Sequence, residues 1–124
     1  MFVEFNPNPR KKTVDDCIIR AISIFTGKSW GQIYTELCAE GLEECDWPNM
    51  NYIWMKYLER LGLRQHLIPN LCPNCYTVRD FCHMYNRGAY ILGTGSHVIA
   101  VIDGDYYDIW DSGDEVPVYY WTSE

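Results

Sequence analysis

The chain has 124 residues, of which 48% are hydrophobic and 15% aromatic, and its formal net charge at pH 7 is −7. This length and composition predict one folded domain spanning residues 1–124, and they exclude a disordered chain. The negative charge argues against nucleic acid as a partner, because a phosphate backbone needs a basic surface. No apolar run reaches the 18 residues of a membrane span, so we predict no membrane contact.

Cysteines occur at six positions, namely 17, 38, 45, 72, 75 and 82. The first twelve residues lack the apolar core of a secretory signal, so we expect a cytoplasmic protein with free thiols. Cys72 and Cys75 form a C-x₂-C pair that, with Cys82 or His83, is a weak candidate for structural zinc. Because adjacent residues such as Cys82 and His83 rarely both bind one metal ion, we predict no cofactor.

The first predicted helix covers residues 13–27, after an extended segment at residues 2–12, and it carries a cysteine in its first turn. Thr13 and Asp16 fit a capping box, Gly27 fits a left-handed stop, and Asp16 can pair with Arg20 four residues later. The helix dipole and the free N–H groups at this end favour the thiolate form of Cys17. The alternative is a core cysteine that packs as a small hydrophobe.

Hydrophobic spacing of three to four residues predicts further helices, and a period of two predicts strands after residue 88. The predicted helices run from Ser29 to Gly41, from Trp47-Pro48 to Gly62, and from Thr77 to Arg87, with a short strand within residues 63–71. The later strands cover residues 89–92, 97–102, 106–110 and 116–121. Helices first and an antiparallel sheet of about four strands last define an α+β fold.

The dipeptide Asp103-Gly104 predicts a two-residue hairpin between the second and third of these later strands. In that register His97 faces Trp110, and Asp108 lies one diagonal step away on the same side of the sheet. A loop longer by one residue would bring Asp111 to His97 instead, because side chains alternate between faces. The structural alternatives are a strand-end histidine bonded to backbone and an aspartate that faces solvent.

A thiol at a helix N-terminus, a histidine on a strand and an acid on the next strand are the components of a Cys-His-Asp relay. Cys17 would attack as the thiolate, and His97 would take and return a proton. Asp108, or Asp111 as the alternative, would orient the imidazole. The backbone N–H of Cys17 would donate one hydrogen bond to the oxyanion.

Several short motifs accompany these residues in a fixed order: Asn6-Pro7, Asp16-Cys17 with Arg20-Ala21, Gly27-Lys28-Ser29-Trp30, Gly88-Ala89-Tyr90-Ile91, His97, Asp103-Gly104, Tyr107-Asp108-Ile109-Trp110-Asp111 and Tyr119-Tyr120-Trp121. The set resembles papain-like cysteine peptidases, in particular short single-domain members from bacteria and their phages. The resemblance implies a helical half that carries the nucleophile, packed on a sheet that carries the base. It also implies hydrolysis of a peptide or amide through an acyl-enzyme, or acyl transfer or deamidation by the same relay.

The chain departs from the papain-like pattern at one position. Such enzymes usually place a glutamine a few residues before the cysteine to complete the oxyanion hole, and Lys11 stands six residues before Cys17 here. Asn6 and Asn8 are the candidates to replace that glutamine. The alternative function is a papain-fold interaction module without catalysis. Export by a phage route is the alternative to the cytoplasm.

Overall fold

The computed structural model describes residues 1–123, which form four helices and a six-stranded mixed sheet. The predicted α+β class is therefore confirmed. The helices are α1 (Cys17–Thr26), α2 (Trp30–Glu44), α3 (Asn51–Arg60) and α4 (Val78–Met84). The strands are β1 (Phe2–Glu4), β2 (Arg64–Leu67), β3 (Ala89–Gly93), β4 (Val98–Ile102), β5 (Asp105–Asp108) and β6 (Tyr119–Thr122). Their order across the sheet is β1-β5-β4-β3-β6-β2.

The sheet has six strands rather than about four, and it is mixed rather than wholly antiparallel, because one of its strand pairs is parallel. Strand β1 lies in the segment predicted as a loop, and it pairs in parallel with β5, with Phe2 opposite Tyr106. Strand β2 joins the other side of the sheet through antiparallel pairing with β6. Strand β1 has only three residues, too few to show a period of two, so long-range pairing with β5 determines its structure.

The hairpin between β4 and β5 has the predicted register, with Ile102 opposite Asp105. Asp103 and Gly104 both have positive φ angles, 49° and 82°, as a tight two-residue hairpin turn requires. The Asp103 carboxylate also accepts a hydrogen bond from the backbone N–H of Gly88 at 2.8 Å. This turn fixes which side chains of β5 share a face with the residues at the start of β4.

The sheet is buried on both faces, which explains why β4 has an uninterrupted apolar sequence. Val98 and Ala100 pack with helices α1, α2 and α3 on one face. Ile99 and Val101 pack with α4 on the other face. Helices α1, α2 and α3 therefore cover one face of the sheet, and α4 covers the opposite face.

Helix α1 begins later than predicted, at Cys17. Thr13 does not cap it: Asp16 occupies the cap position, and its side chain makes no capping hydrogen bond. The Asp16 carboxylate instead forms the predicted ion pair with Arg20, and both side chains are buried. Gly27 ends the helix as predicted, with a φ of 76°. Cys17 is therefore the first helical residue, with its N–H among the free donors of the helix end.

The ends of α2 and α3 also differ from the prediction. Helix α2 continues through Gly41 to Glu44, because Gly41 serves close packing rather than termination. A Cβ atom at Gly41 would lie 2.8 Å from the backbone oxygen of Asp46. Helix α3 begins at Asn51, so residues 46–50 form a loop beside the start of α1. No helix in residues 1–123 is both long and apolar enough to span a bilayer.

Candidate active site

A cleft of about 140 Å³ lies between the start of α1 and the loop that precedes β4. Cys17 and His97 both line it. The other lining residues are Asp15, Ile18, Asn49, Asn51, Trp54, Gly95, Ser96, Val98 and Tyr119. Cys17 is half-buried, so its thiol is open to a ligand in the cleft without being freely solvated.

His97 lies between the thiol and a carboxylate. Its Nε2 is 2.6 Å from Oδ2 of Asp108, and Cys17 lies close enough to the ring to raise the pKa of His97. Because Asp108 occupies Nε2, the ring nitrogen that remains for Cys17 is Nδ1. The Trp110 ring packs beside the imidazole, with 5.3 Å between the ring centroids. The structure therefore brings Cys17, His97 and Asp108 together.

The charges of this group follow from its hydrogen bonds. Burial lowers the pKa of His97, but the hydrogen bonds to Asp108 and Cys17 outweigh burial and raise that pKa to about 9. Burial raises the pKa of Asp108, but the hydrogen bonds from His97 and Ser112 outweigh burial and bring that pKa below its usual value. At pH 7 an imidazolium and a carboxylate therefore stand beside the thiol.

Asp108 is only 3% exposed, and four groups surround its carboxylate. Oδ2 accepts from His97 and, at 2.7 Å, from the Ser112 hydroxyl. Oδ1 accepts from the backbone N–H of Ile109 at 2.8 Å and lies 3.5 Å from Nη2 of Arg20. A buried carboxylate with this many donors is held in one position.

Asp111, the alternative acid, does not contact His97. Its carboxylate accepts hydrogen bonds from Nη2 of Arg79 at 3.2 Å and from the Tyr106 hydroxyl. Strand β5 ends at Asp108, and Asp111 lies three residues beyond that end. Among the two acids, the structure therefore brings only Asp108 to the histidine.

The two predicted oxyanion donors do not reach the cleft. The Asn6 amide donates to the backbone oxygen of Lys12 at 3.1 Å, and the Asn8 side chain accepts from the N–H of Arg10 at 2.9 Å. Neither residue lines the cleft. Both side chains fold onto their own segment, as asparagines beside prolines commonly do in turns. The amides that do line the cleft are Asn49 and Asn51, which the sequence analysis did not select.

The CPNC segment also differs from the prediction, because Cys72 and Cys75 form a disulfide rather than free thiols. Two sulfurs bonded to each other are not available to zinc, so the weak zinc alternative is wrong for this structure. Within residues 1–123, no group of three or more His, Cys, Asp or Glu side chains could hold a metal. His83 is exposed, and Cys82 is buried in apolar surroundings that raise its pKa to about 11.

A larger groove of about 510 Å³ adjoins the cleft and shares Asp15 and Asn49 with it. Its lining is mainly apolar and includes Val14, Ile19, Trp30, Tyr34, Leu37, Leu42, Trp47 and Pro48. Trp47 is 69% exposed. Removing an indole ring from water is favourable, so this side chain offers binding free energy to a ligand that covers it. The groove can therefore hold an apolar group attached to whatever enters the cleft.

Comparisons of the chain with protein-family models, curated proteins and solved structures gave no match. The local geometry is therefore the basis for assigning chemistry. A thiol, an imidazole and a buried carboxylate in that order can carry out acyl transfer through a covalent thioester. The required proton donor is already charged, because His97 has a pKa of about 9.

We expect His97 to give a distinctive pH dependence of stability. Because the pKa of His97 is raised in the folded protein, this residue contributes fully to the free energy of unfolding below about pH 6.5. The contribution is lost as the pH rises through about 9. A shift of this size corresponds to about 3 kcal/mol of unfolding free energy. Urea unfolding at pH 6 and pH 10 measures this contribution. Between these two pH values, the free energy of unfolding should fall more for the wild-type protein than for His97→Gln. Equal losses in the two proteins would contradict this expectation.

Proposed function

We propose that this protein is a papain-like cysteine hydrolase that cleaves a peptide or amide bond through an acyl-enzyme. The observation that carries the proposal is the position of His97, which is hydrogen-bonded to Asp108 and lines the same cleft as Cys17, close enough to that residue for it to raise the pKa of the ring. The arrangement of the elements adds support, since α1 begins with Cys17, His97 directly precedes β4, and Asp108 ends β5.

In the proposed reaction, the Cys17 thiolate attacks the substrate carbonyl carbon and forms a C–S bond. The tetrahedral intermediate collapses as the C–N bond breaks, and the His97 imidazolium gives its proton to the leaving amine. Neutral His97 then removes a proton from water as the water oxygen bonds to the thioester carbon, and the C–S bond breaks to release the acid and the Cys17 thiolate. Asp108 holds the ring so that Nδ1 faces the sulfur throughout.

The groove beside the cleft favours substrates with a large apolar group near the scissile bond. Its exposed apolar side chains, among them Trp47 and Leu42, offer contact area to a ligand bound in the groove. The proposed substrates are therefore peptides or amides with an aromatic or long aliphatic substituent.

The direct test is the reactivity of the individual thiols toward iodoacetamide at pH 6, measured by peptide mass mapping. We expect Cys17 to react at least about tenfold faster than Cys38 and Cys45, since a neighbouring imidazolium stabilises negative charge on the attacking sulfur. Cys38 and Cys45 are matched controls because both are exposed free cysteines. The His97→Gln variant should remove the difference.

Turnover is tested on a panel of aminomethylcoumarin amides that carry aromatic or aliphatic groups. Cys17→Ser should lose cleavage, whereas Cys38→Ser should retain it. Equal reactivity of the free thiols, together with no Cys17-dependent cleavage, would favour the interaction module and contradict the hydrolase.

A further inference from the structure

An acyl-transfer site needs hydrogen-bond donors aimed at the oxygen that becomes negative in the tetrahedral intermediate. The N–H of Cys17 is one such donor, because Cys17 is the first residue of α1. The usual glutamine is absent before Cys17, and Asn6 and Asn8 do not line the cleft. The other walls of the cleft are therefore the place to look for a second side-chain donor.

Asn51, the first residue of α3, lies on one of these walls. Its Oδ1 accepts a hydrogen bond from Nε1 of Trp54 at 3.1 Å. An indole N–H can only donate, so the oxygen of the amide must face Trp54 and the NH₂ group must face away. Trp54 is 1% exposed, so it is a fixed support for this orientation.

Asn51 is solvent-exposed, and its NH₂ group donates no hydrogen bond within the described part of the chain, so it is accessible to a ligand. Asn49 is the other amide on the cleft, but its side chain makes no hydrogen bond within residues 1–123 that would fix its direction. Fixed donors stabilise a developing charge better than donors that must reorganise, because no free energy is spent on orienting them during the reaction.

We propose that Asn51 donates the second hydrogen bond to the oxyanion, from Nδ2, beside the N–H of Cys17. This assignment rests on the proposed function, and it gives the site a catalytic amide from α3 rather than from the segment before the nucleophile. The residue acts only in steps that create an oxyanion.

Two reagents separate such steps from the general reactivity of the thiol. With p-nitrophenyl acetate, the Cys17 sulfur bonds to the carbonyl carbon, an oxyanion forms, and the C–O bond breaks to release p-nitrophenolate. With iodoacetamide, the sulfur bonds to the CH₂ carbon as the C–I bond breaks, and iodide leaves without any oxyanion. The ratio of the two rates at Cys17 therefore reports oxyanion stabilisation and cancels changes in the thiolate fraction.

The experiment compares this ratio in the wild-type protein, Asn51→Ala, Asn51→Asp and Asn49→Ala. Asn51→Asp keeps an oxygen acceptor for Trp54, so it preserves the support of the indole while removing the two donors. We expect both Asn51 variants to lower the ratio by about 10²-fold, the order found when one oxyanion donor is removed. Asn49→Ala should leave the ratio unchanged.

A wild-type ratio in both Asn51 variants, or a loss confined to Asn49→Ala, would overturn the assignment of Asn51 while leaving the hydrolase intact. If the wild-type protein releases p-nitrophenolate no faster than Cys17→Ser does, both the hydrolase proposal and this assignment are wrong. Circular dichroism of each variant verifies that the fold is retained.

Discussion

Replacing Asp108 with alanine is expected to lower turnover of the best amide substrate by about 10²–10⁴-fold, the range associated with loss of oriented general acid–base catalysis. Without the carboxylate, Nε2 of His97 has no partner that keeps Nδ1 directed at Cys17. The pKa of His97 should also fall, because the hydrogen bond to Asp108 is the largest cause that raises it. Fewer molecules would then carry the imidazolium that protonates the leaving amine.

The Asp108→Asn variant separates orientation from charge. An amide oxygen can still accept from Nε2, but it carries no negative charge to stabilise the imidazolium. We therefore expect a smaller loss of turnover than for Asp108→Ala, together with a lower midpoint in an NMR titration of the ring. Asp111→Ala is the matched control, because Asp111 is bonded to Arg79 and Tyr106 instead of His97. If Asp111→Ala reduced turnover as strongly as Asp108→Ala, the hydrogen bond between Asp108 and His97 would not explain the loss in the Asp108 variant.

The choice between these two acids could be predicted from sequence because one short turn determines it. Asp103 and Gly104 tolerate positive φ angles, and their two-residue loop sets the pairing of β4 with β5. Asp108 is the last residue of β5 and His97 directly precedes β4, so this register brings the two residues to the same end of the hairpin. Every step in this inference is local, so no knowledge of the remaining fold is needed.

The opposite wall of the cleft could not be predicted in the same way. Asn51 reaches it because α2 extends beyond Gly41 and the following loop returns α3 to the start of α1. Gly41 indicates a helix end from sequence, whereas its actual contact with the backbone of Asp46 becomes visible only in three dimensions. The short strand β1 is a similar case, since its pairing with β5 joins residues from opposite ends of the chain.

The cysteine prediction failed for a different reason. Free thiols at Cys72 and Cys75 were inferred from the expected compartment rather than from the geometry of the segment. The two cysteines lie three residues apart in an exposed turn, with 4.1 Å between their Cα atoms. The short spacing of Cys72 and Cys75 is therefore a better guide to the state of these two sulfurs than the expected cellular compartment.

Arg20→Met is expected to lower the free energy of unfolding by about 3–5 kcal/mol, the range for removing one partner of a buried ion pair. Arg20 is 5% exposed and lies between two buried carboxylates, those of Asp16 and Asp108. Asp16 retains a hydrogen bond from Nε1 of Trp30 at 2.9 Å, but an indole cannot balance its charge. Urea unfolding followed by tryptophan fluorescence measures the loss. Arg79→Met is the control, expected to cost about 0–1 kcal/mol because Arg79 and its partners are exposed.

A second substitution tests whether uncompensated charge is the cause. Asp16→Asn removes one of the two carboxylates, so the double variant Arg20→Met with Asp16→Asn should be less destabilised than the sum of the single variants. Additive losses would indicate that Arg20 contributes through packing of its side chain instead. Asp16 directly precedes Cys17, and Asp108 is hydrogen-bonded to His97. A loss of stability caused by charge would therefore mean that the Arg20 guanidinium links the start of α1 to the carboxylate that holds His97.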